Sequence, residues 1–194
     1  AGYDLVQTWE GFVYHMTSRG SRFKDGAMRN PAGQVFMKGR ESTEWLEQNL
    51  RSTRNFIRKW GHMVKHDKMM FPIIPPKYDI GFVVKNCDSK MLRELEPWCS
   101  TIYTDCEYDD YIKEEQRNTA FNLSDRIKPY DNEKNNDIIV KFDAQMLNAN
   151  NFQVIVNLSE MFKDSAEVGE MEYDVFHFDI NSLETYEKDL IIRE

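Results

Sequence analysis

Carboxylates that follow predicted strands are the residues best placed to do chemistry. Asp105, Glu107 and Asp109 come directly after the second predicted strand of the acidic part of the chain, and Asp143 comes directly after the third. Ligands of α/β enzymes bind beyond the carboxyl ends of parallel strands. Carboxylates in that position could hold Mg²⁺ for phosphoryl or sugar-nucleotide chemistry. The alternative is that these acidic loops only keep the protein in solution and gather around no ligand.

Histidines give a weaker metal prediction. His62 and His66 are four residues apart on a predicted helix, a spacing that lets both imidazoles reach one metal ion. His177 and Asp179 are two apart on a predicted strand, so they share one face. No Glu follows His62, so the HExxH arrangement of zinc proteases is absent. We therefore treat His62 and His66 as weak metal candidates beside the carboxylates.

A basic face on the long predicted helix indicates a binding surface. Its members recur at helical spacing and stay within a narrow wedge: Arg51, Arg54, Arg58, His62 and Lys65. Guanidinium groups in a line suit an acidic protein partner or a phosphate backbone. The net charge of −8 gives nucleic-acid binding little support. Solvation or internal pairing of the face is the plain alternative, and we expect Arg51, Arg54, Arg58 and Lys65 to contact a partner protein if one binds here.

Familiar catalytic signatures are absent from the sequence. No GxGxxG or GxxxxGK[ST] segment follows the predicted strands, and no GxSxG elbow occurs. The three cysteines form no disulfide framework, and Cys99 and Cys106 lack CxxC spacing, so they are interpreted as ordinary thiols. We therefore predict no cofactor and favour a protein that is not an enzyme.

Charge divides the chain into two parts. Residues 1–70 carry twelve Lys and Arg against seven Asp and Glu, a net charge of +5, whereas residues 71–194 carry thirteen against twenty-six, a net charge of −13. Prolines at 72, 75 and 76 favour an extended connector over residues 71–77. The predicted organisation is a basic arm with a long helix (1–70), this connector, and an acidic α/β domain (78–194).

Hydrophobic periodicity predicts the fold class. The expected helices cover residues 43–68, 89–96, 109–116, 150–162 and 182–190, and the expected strands cover 34–38, 78–84, 101–104, 137–142 and 171–180. Alternation of strands with helices favours an α/β fold, with mixed α+β as the alternative. We expect a small, mostly parallel sheet with flanking helices, preceded by a loop-rich arm and one long amphipathic helix.

Aromatic residues in the arm indicate contact with a covering surface, which is either this domain's own sheet or another chain. Trp9, Phe12, Tyr14 and Phe23 lie in a section with few regular elements, where large rings need a surface to cover them. We expect a non-enzymatic assembly subunit of a larger complex or particle, such as a virion, that forms homo- or hetero-oligomers. No apolar run reaches the length of a membrane span, and a cytoplasmic location is expected. The alternatives are a metal-assisted α/β enzyme acting on a phosphate or sugar-nucleotide substrate, and a nucleic-acid-binding protein.

Overall fold

The computed structural model describes residues 21–22, 28–29, 35–37 and 43–186 of the 194-residue chain. The chain divides into two compact units, Ala1–Leu50 and Arg51–Glu194. The division falls within the long helix, and the predicted connector 71–77 lies inside the second unit.

Within the residues described for the first unit lie three short antiparallel strands and the start of a helix. The strands β1 (Ser21–Arg22), β2 (Met28–Arg29) and β3 (Val35–Met37) pair in the order β1-β2-β3. The predicted strand at 34–38 is confirmed as β3. Helix α1 (Thr43–Trp60) begins in this unit and continues into the second.

The second unit contains a short hairpin, a mixed sheet and short helices. Its elements in chain order are β4 (Lys65–His66), β5 (Pro72–Ile73), β6 (Ile80–Lys85), α2 (Ser89–Leu95), β7 (Thr101–Thr104), α3 (Asp109–Glu115), α4 (Leu123–Arg126), β8 (Ile127–Pro129), β9 (Ile138–Asp143), α5 (Phe152–Val156), α6 (Leu158–Ser165), β10 (Gly169–Tyr173) and β11 (Phe176–Ile180).

The main sheet has the order β10-β11-β9-β6-β7-β8. The four strands from β9 to β8 are parallel to one another, and β11 and β10 add an antiparallel hairpin at one side. The chain therefore moves outward from β6 to β7 and β8, and then returns to place β9 on the other side of β6. The predicted fold class, a mostly parallel α/β sheet with flanking helices, is confirmed.

Apolar runs explain why the central strands form. Strand β6 is buried at five of its six positions, as expected for a parallel strand between two covered neighbours. Phe82 and Val84 enter the main core under the helices, whereas Val83 joins Tyr103 and Ile139 in a smaller cluster on the other face. The predicted strands at 78–84, 101–104 and 137–142 and the helices at 89–96 and 109–116 are confirmed to within two residues.

The predicted end of the long helix is wrong. Helix α1 stops at Trp60 because Gly61 takes a left-handed conformation (φ 75°), and its N–H donates to the Ile57 carbonyl at 2.6 Å. Glycine reaches this conformation without a Cβ clash and commonly ends helices. The chain after Gly61 then forms the β4–β5 hairpin instead of two more helical turns.

Other differences follow from local turns. The predicted strand at 171–180 is two strands, β10 and β11, separated by a turn in which Asp174 has φ 54°. The predicted helix at 150–162 is divided at Asn157 into α5 and α6, and the three-residue β8 was not predicted. Residues 182–186 are not helical, and 187–190 lie outside the described residues.

Candidate functional site

Two arginines of the predicted basic face of α1, Arg54 and Arg58, form ion pairs inside the protein. The Arg58 side chain is 0% exposed, and its Nη2 lies 2.7 Å from Glu96 Oε2 and 2.9 Å from Glu115 Oε1. The same nitrogen donates to the Tyr111 hydroxyl at 3.1 Å, and that hydroxyl donates to Glu96 at 3.0 Å. Arg54 forms a two-point pair with Glu115, with both N–O distances at 2.7 Å. These side chains form a buried ionic network.

Glu96 is the centre of this network, because a second arginine, Arg126, also reaches it. Arg126 Nε lies 2.6 Å from Glu96 Oε1, and Arg126 Nη2 donates to the Glu96 and Cys99 carbonyls. Burial alone would raise the pKa of Glu96, but the charges of Arg126 and Arg58 outweigh it and hold the pKa below its ordinary value. Burial likewise opposes the charge on Arg58, and the Glu96 carboxylate reverses that effect, so the pKa of Arg58 is raised. Glu96 and Arg58 are therefore both charged at neutral pH.

Arg54 and Arg58 bind carboxylates of the same chain, so the alternative of internal pairing holds for both. The Arg58 side chain is 0% exposed and is not available to a partner, which corrects the expectation for that residue. Arg51 is half-buried on the same helix. Lys65 lies beyond the end of the helix, on β4, where its Nζ is 2.8 Å from Glu160. The predicted line of cations is thus not present as one surface.

Two of the predicted carboxylates, Asp105 and Asp143, lie near each other at the carboxyl ends of the central strands. Asn86 joins them: its backbone N–H donates to Asp105 Oδ2 at 2.7 Å, and its side-chain amide donates to Asp143 Oδ2 at 2.6 Å. Asp105 Oδ1 accepts from the Cys87 N–H at 3.1 Å, and Asp143 Oδ1 accepts from the Gln145 N–H at 2.9 Å. All four carboxylate oxygens therefore accept hydrogen bonds from the turns of the protein itself.

The remaining metal candidates do not join this cluster. Glu107 and Asp109 are exposed, and Asp109 begins α3. His62 is buried and contacts Phe56 edge-on, whereas His66 is exposed on β4, so the predicted helical pair does not exist. Over the ranges that the structure describes, no group of three or more His, Cys, Asp or Glu side chains is arranged to hold a metal ion.

A cavity lies at the opposite, amino-terminal end of the sheet. It has a volume of about 620 Å³ and includes Asp79, Thr101 and Asn136 in its wall. The buried Asn136 amide donates to Asp79 at 2.6 Å and to Thr101 at 3.3 Å, and its oxygen accepts from Tyr103 at 3.0 Å. The buried amide at this end of the sheet therefore satisfies its hydrogen bonds within the protein.

A large apolar surface lies on residues 63–74, which we call the apolar hairpin. It consists of β4, β5 and their flanks, and seven of its twelve residues are large apolar side chains exposed to solvent: Met63, Val64, Met69, Met70, Phe71, Ile73 and Ile74. The sequence indicates an apolar, adaptable segment of Met63, Met69, Met70 and Phe71 at this place, but the prediction of a helix through residue 68 did not include a hairpin. A glycine at 61 was the signal that could have revealed it.

The aromatic arm residues Trp9, Phe12, Tyr14 and Phe23 lie outside the described residues. Among the helices that the structure describes, none combines the length and apolar character needed to cross a membrane. The fold and surfaces define a mixed α/β protein with a mostly parallel sheet and an exposed apolar hairpin. No family model, curated protein or solved structure matches this chain.

Proposed function

We propose that this protein is a non-enzymatic assembly subunit that docks onto another protein chain through the apolar hairpin. The observation that carries the proposal is the exposure of the hairpin tip, where Met69 is 76%, Met70 71% and Phe71 61% exposed. Single exposed apolar residues are ordinary, but a concentrated exposed group is typical of a protein interaction site. Methionine is also common at adaptable interfaces because its side chain is flexible and polarisable.

The hairpin tip is ordered by hydrogen bonds, and this supports a binding role. Asp67 Oδ1 accepts from the backbone N–H of Met69 at 2.8 Å and of Phe71 at 2.9 Å. The Asp67 N–H donates to the Phe71 carbonyl at 2.9 Å, which closes the loop. A loop held in one conformation loses less entropy when it binds.

Backbone strain at the hairpin tip also supports a binding role. Met70 has φ 67°, in the left-handed region that a residue with a long side chain seldom occupies. Such a conformation costs about 1–3 kcal/mol and persists where the surrounding structure holds it, commonly at binding sites. Folding alone does not require a methionine at this position, because glycine would fit the turn with less strain.

A second copy of the chain is the partner that we propose. Lys65 of the hairpin pairs with Glu160, and the exposed Lys68 adds a further positive charge in a chain of net charge −8. An acidic surface of another copy would therefore attract it, in a contact between identical chains of the kind that most oligomers use. A larger complex or particle built from such contacts is the setting that we infer.

Sedimentation velocity over a concentration series tests this proposal. We expect the wild-type mass to rise with concentration. Phe71→Asp places a charge in the contact and should weaken association at least about tenfold, because central aromatic residues carry much of an interface. Met70→Gly should weaken it while preserving the turn. Val168→Asp is the matched control, since Val168 is 65% exposed outside the hairpin, and it should associate like wild type. A wild-type chain that remains monomeric at every concentration would contradict the proposal.

The strand order favours a second candidate, a ligand-binding α/β enzyme. The chain reverses direction across the sheet between β6 and β9, and α/β proteins bind ligands beyond the carboxyl ends at such a switch point. Asp105 and Asp143 lie at that edge, and their remaining lone pairs could accept from hydroxyl groups of a sugar or nucleotide. This candidate ranks second because the cluster already binds its own turns through all four oxygens.

Thermal unfolding with a panel of nucleosides, nucleotides and nucleotide sugars separates the two candidates. The enzyme candidate requires that one compound raise the midpoint of unfolding, that Asp143→Asn abolish the rise, and that Asp109→Asn retain it. If no compound shifts the wild-type midpoint, the enzyme candidate loses its support and the assembly proposal is unaffected.

A further inference from the structure

The buried ionic network carries more positive than negative charge. Its three arginines are Arg54, Arg58 and Arg126, and its two carboxylates are Glu96 and Glu115. Arginine stays charged in proteins, so three cations against at most two anions leave an excess of at least one positive charge. Within the described part of the chain, no third carboxylate lies within ion-pair distance of these arginines. A charge that is largely out of solvent and not offset is costly, and an anion from outside the chain could offset it.

Arg126 is the member of this network that a ligand could reach. It lines the cavity of about 620 Å³ at the amino-terminal end of the sheet, and 13% of its side chain is exposed. Arg58 also lines the cavity, but its side chain is fully buried. Arg126 donates from Nε to Glu96 and from Nη2 to the Glu96 and Cys99 carbonyls, whereas its Nη1 makes no hydrogen bond within the described residues. The two N–H groups of Nη1 therefore remain for a ligand.

The surroundings of Arg126 offer both apolar surface and a further donor. The Phe121 ring orients the guanidinium, whose central carbon lies 5.4 Å from the ring centre. Phe121 and Trp98 both line the cavity. The Ser100 hydroxyl, also in the wall, accepts from the Ile80 N–H at 3.3 Å and keeps its own hydrogen to donate. A volume of this size falls within the range of about 300–1,000 Å³ that small-molecule sites occupy.

Charges in the cavity wall also favour an anion. Among the described residues, four cationic side chains and three carboxylates line the cavity: Arg58, Lys77, Arg126 and Lys128 against Asp79, Asp125 and Glu133. The whole chain has a net charge of −8, so a positive excess at this cavity is a local feature. A cleft with an excess of one sign of charge concentrates ligands of the opposite sign.

We propose that this cavity binds a small carboxylic acid, with its carboxylate on Arg126 and its apolar body against Phe121 and Trp98. The planar guanidinium matches the geometry of a carboxylate, and one negative charge equals the minimum excess of the network. A phosphate dianion would bring a second negative charge close to the carboxylates of the wall. The cavity lies outside the apolar hairpin and at the opposite end of the sheet from Asp105 and Asp143, so the inference does not depend on the proposed function.

Benzoate and benzamide are matched probes for this site, because they share the ring and differ in charge. Each is titrated into the full 194-residue chain, and binding is followed by NMR. We expect benzoate to bind at least about tenfold more tightly than benzamide, since a hydrogen bond to a charged group is worth more than one to a neutral group. Added salt should weaken benzoate binding by screening the charge. Inorganic phosphate is the third probe, and it should bind more weakly than benzoate.

Two variants locate the site. Arg126→Gln should weaken benzoate binding at least about tenfold, because it removes the guanidinium. That change also removes a contact of Glu96, so Lys128→Glu is the second variant. It reverses a charge in the cavity wall outside the ionic network, where Lys128 Nζ donates only to the Ser124 carbonyl, and should also weaken benzoate binding. Arg93→Gln is the control and should bind like wild type, because Arg93 pairs with Glu114 on the surface and is not among the residues lining the cavity.

The titrations can overturn the proposal in three ways. Benzoate that does not bind the wild-type chain, or binds no better than benzamide, would show that the cavity does not recognise a carboxylate. Benzoate binding that is unchanged in Lys128→Glu and in folded Arg126→Gln would place the bound anion outside this cavity. Tighter binding of phosphate than of benzoate would contradict the assignment of a carboxylic acid.

Discussion

The buried ionic network and the apolar hairpin reverse the usual distribution of side chains. In the network, four charged side chains lie almost entirely out of solvent, and every one has a partner of opposite charge: Arg54, Arg58, Glu96 and Glu115. In the hairpin, large apolar side chains face solvent although the backbone of the loop is well ordered. Charged residues are rarely buried unless paired, and exposed apolar clusters are rarely without a role.

The contrast between the network and the hairpin separates side chains that the fold uses from side chains that it does not use. The network is explained by the fold, because it fixes α1 against α3 and the chain around Glu96 through internal hydrogen bonds. The fold does not explain the apolar side chains of the hairpin, because they are exposed to solvent and are not part of the buried core. The exposed apolar group of the hairpin is therefore the basis of the proposed docking site, whereas the row of arginines predicted from the sequence is not.

Removal of Arg58 should have the largest effect on stability. Arg58→Ala leaves Glu96 and Glu115 buried with fewer cations, and breaking a buried pair from one side costs about 3–5 kcal/mol. We expect the free energy of unfolding to fall by that amount in chemical denaturation. Arg93→Ala is the control, because the Arg93–Glu114 pair is solvent-exposed and such pairs contribute about 0–1 kcal/mol. Equal losses of unfolding free energy in the two variants would show that the buried network contributes no more than an exposed ion pair.

The pH dependence of stability should come from the same network. The folded pKa of Glu96 is depressed below its unfolded value of about 4.3, because Arg126 and Arg58 outweigh the effect of burial. The resulting stabilisation is complete above the unfolded pKa and is lost as pH falls through the folded pKa. We expect the urea midpoint to fall below about pH 4, and Glu96→Gln to be less stable at neutral pH with a shallower fall. An identical pH profile in that variant would exclude Glu96 as the titrating group.

Replacement at the hairpin tip should have the smallest effect on folding. Met70→Gly relieves the left-handed strain but adds freedom to the unfolded chain, so the free energy of unfolding should rise by only about 0.5–1 kcal/mol. The measurement is chemical denaturation at a concentration where the chain is monomeric. A loss of more than about 1 kcal/mol would mean that the Met70 side chain serves the fold, and the contrast between the two regions would fail.

Local signals allowed much of the central fold to be predicted. The apolar runs that became β6 and β9, and the Asp88 cap whose carboxylate accepts from the Met91 N–H, are readable without tertiary contacts. The hairpin and the division of α5 from α6 were missed for a physical reason. Gly61 and Asn157 end helices through backbone conformation, which hydrophobic periodicity does not register.

The sites depend on contacts between residues that are far apart in the sequence. Such contacts could not be predicted from the sequence pattern. Arg58 lies at helical spacing with Arg54, but its partner Glu96 is 38 positions away and faces it only after folding. The positions of Asp105 and Asp143 after strands were readable from the sequence, whereas the use of their oxygens by Asn86 depends on a turn with φ 52°.

Photo-cross-linking from position 71 shows whether the apolar hairpin touches a second copy of the chain. A photoreactive phenylalanine analogue replaces Phe71, and the same analogue at Val168 serves as the control. We expect intermolecular cross-links from position 71 to another copy of the chain, reduced by Met70→Gly, with few from position 168. If position 71 gives no more intermolecular product than position 168, the apolar hairpin does not dock onto a second copy.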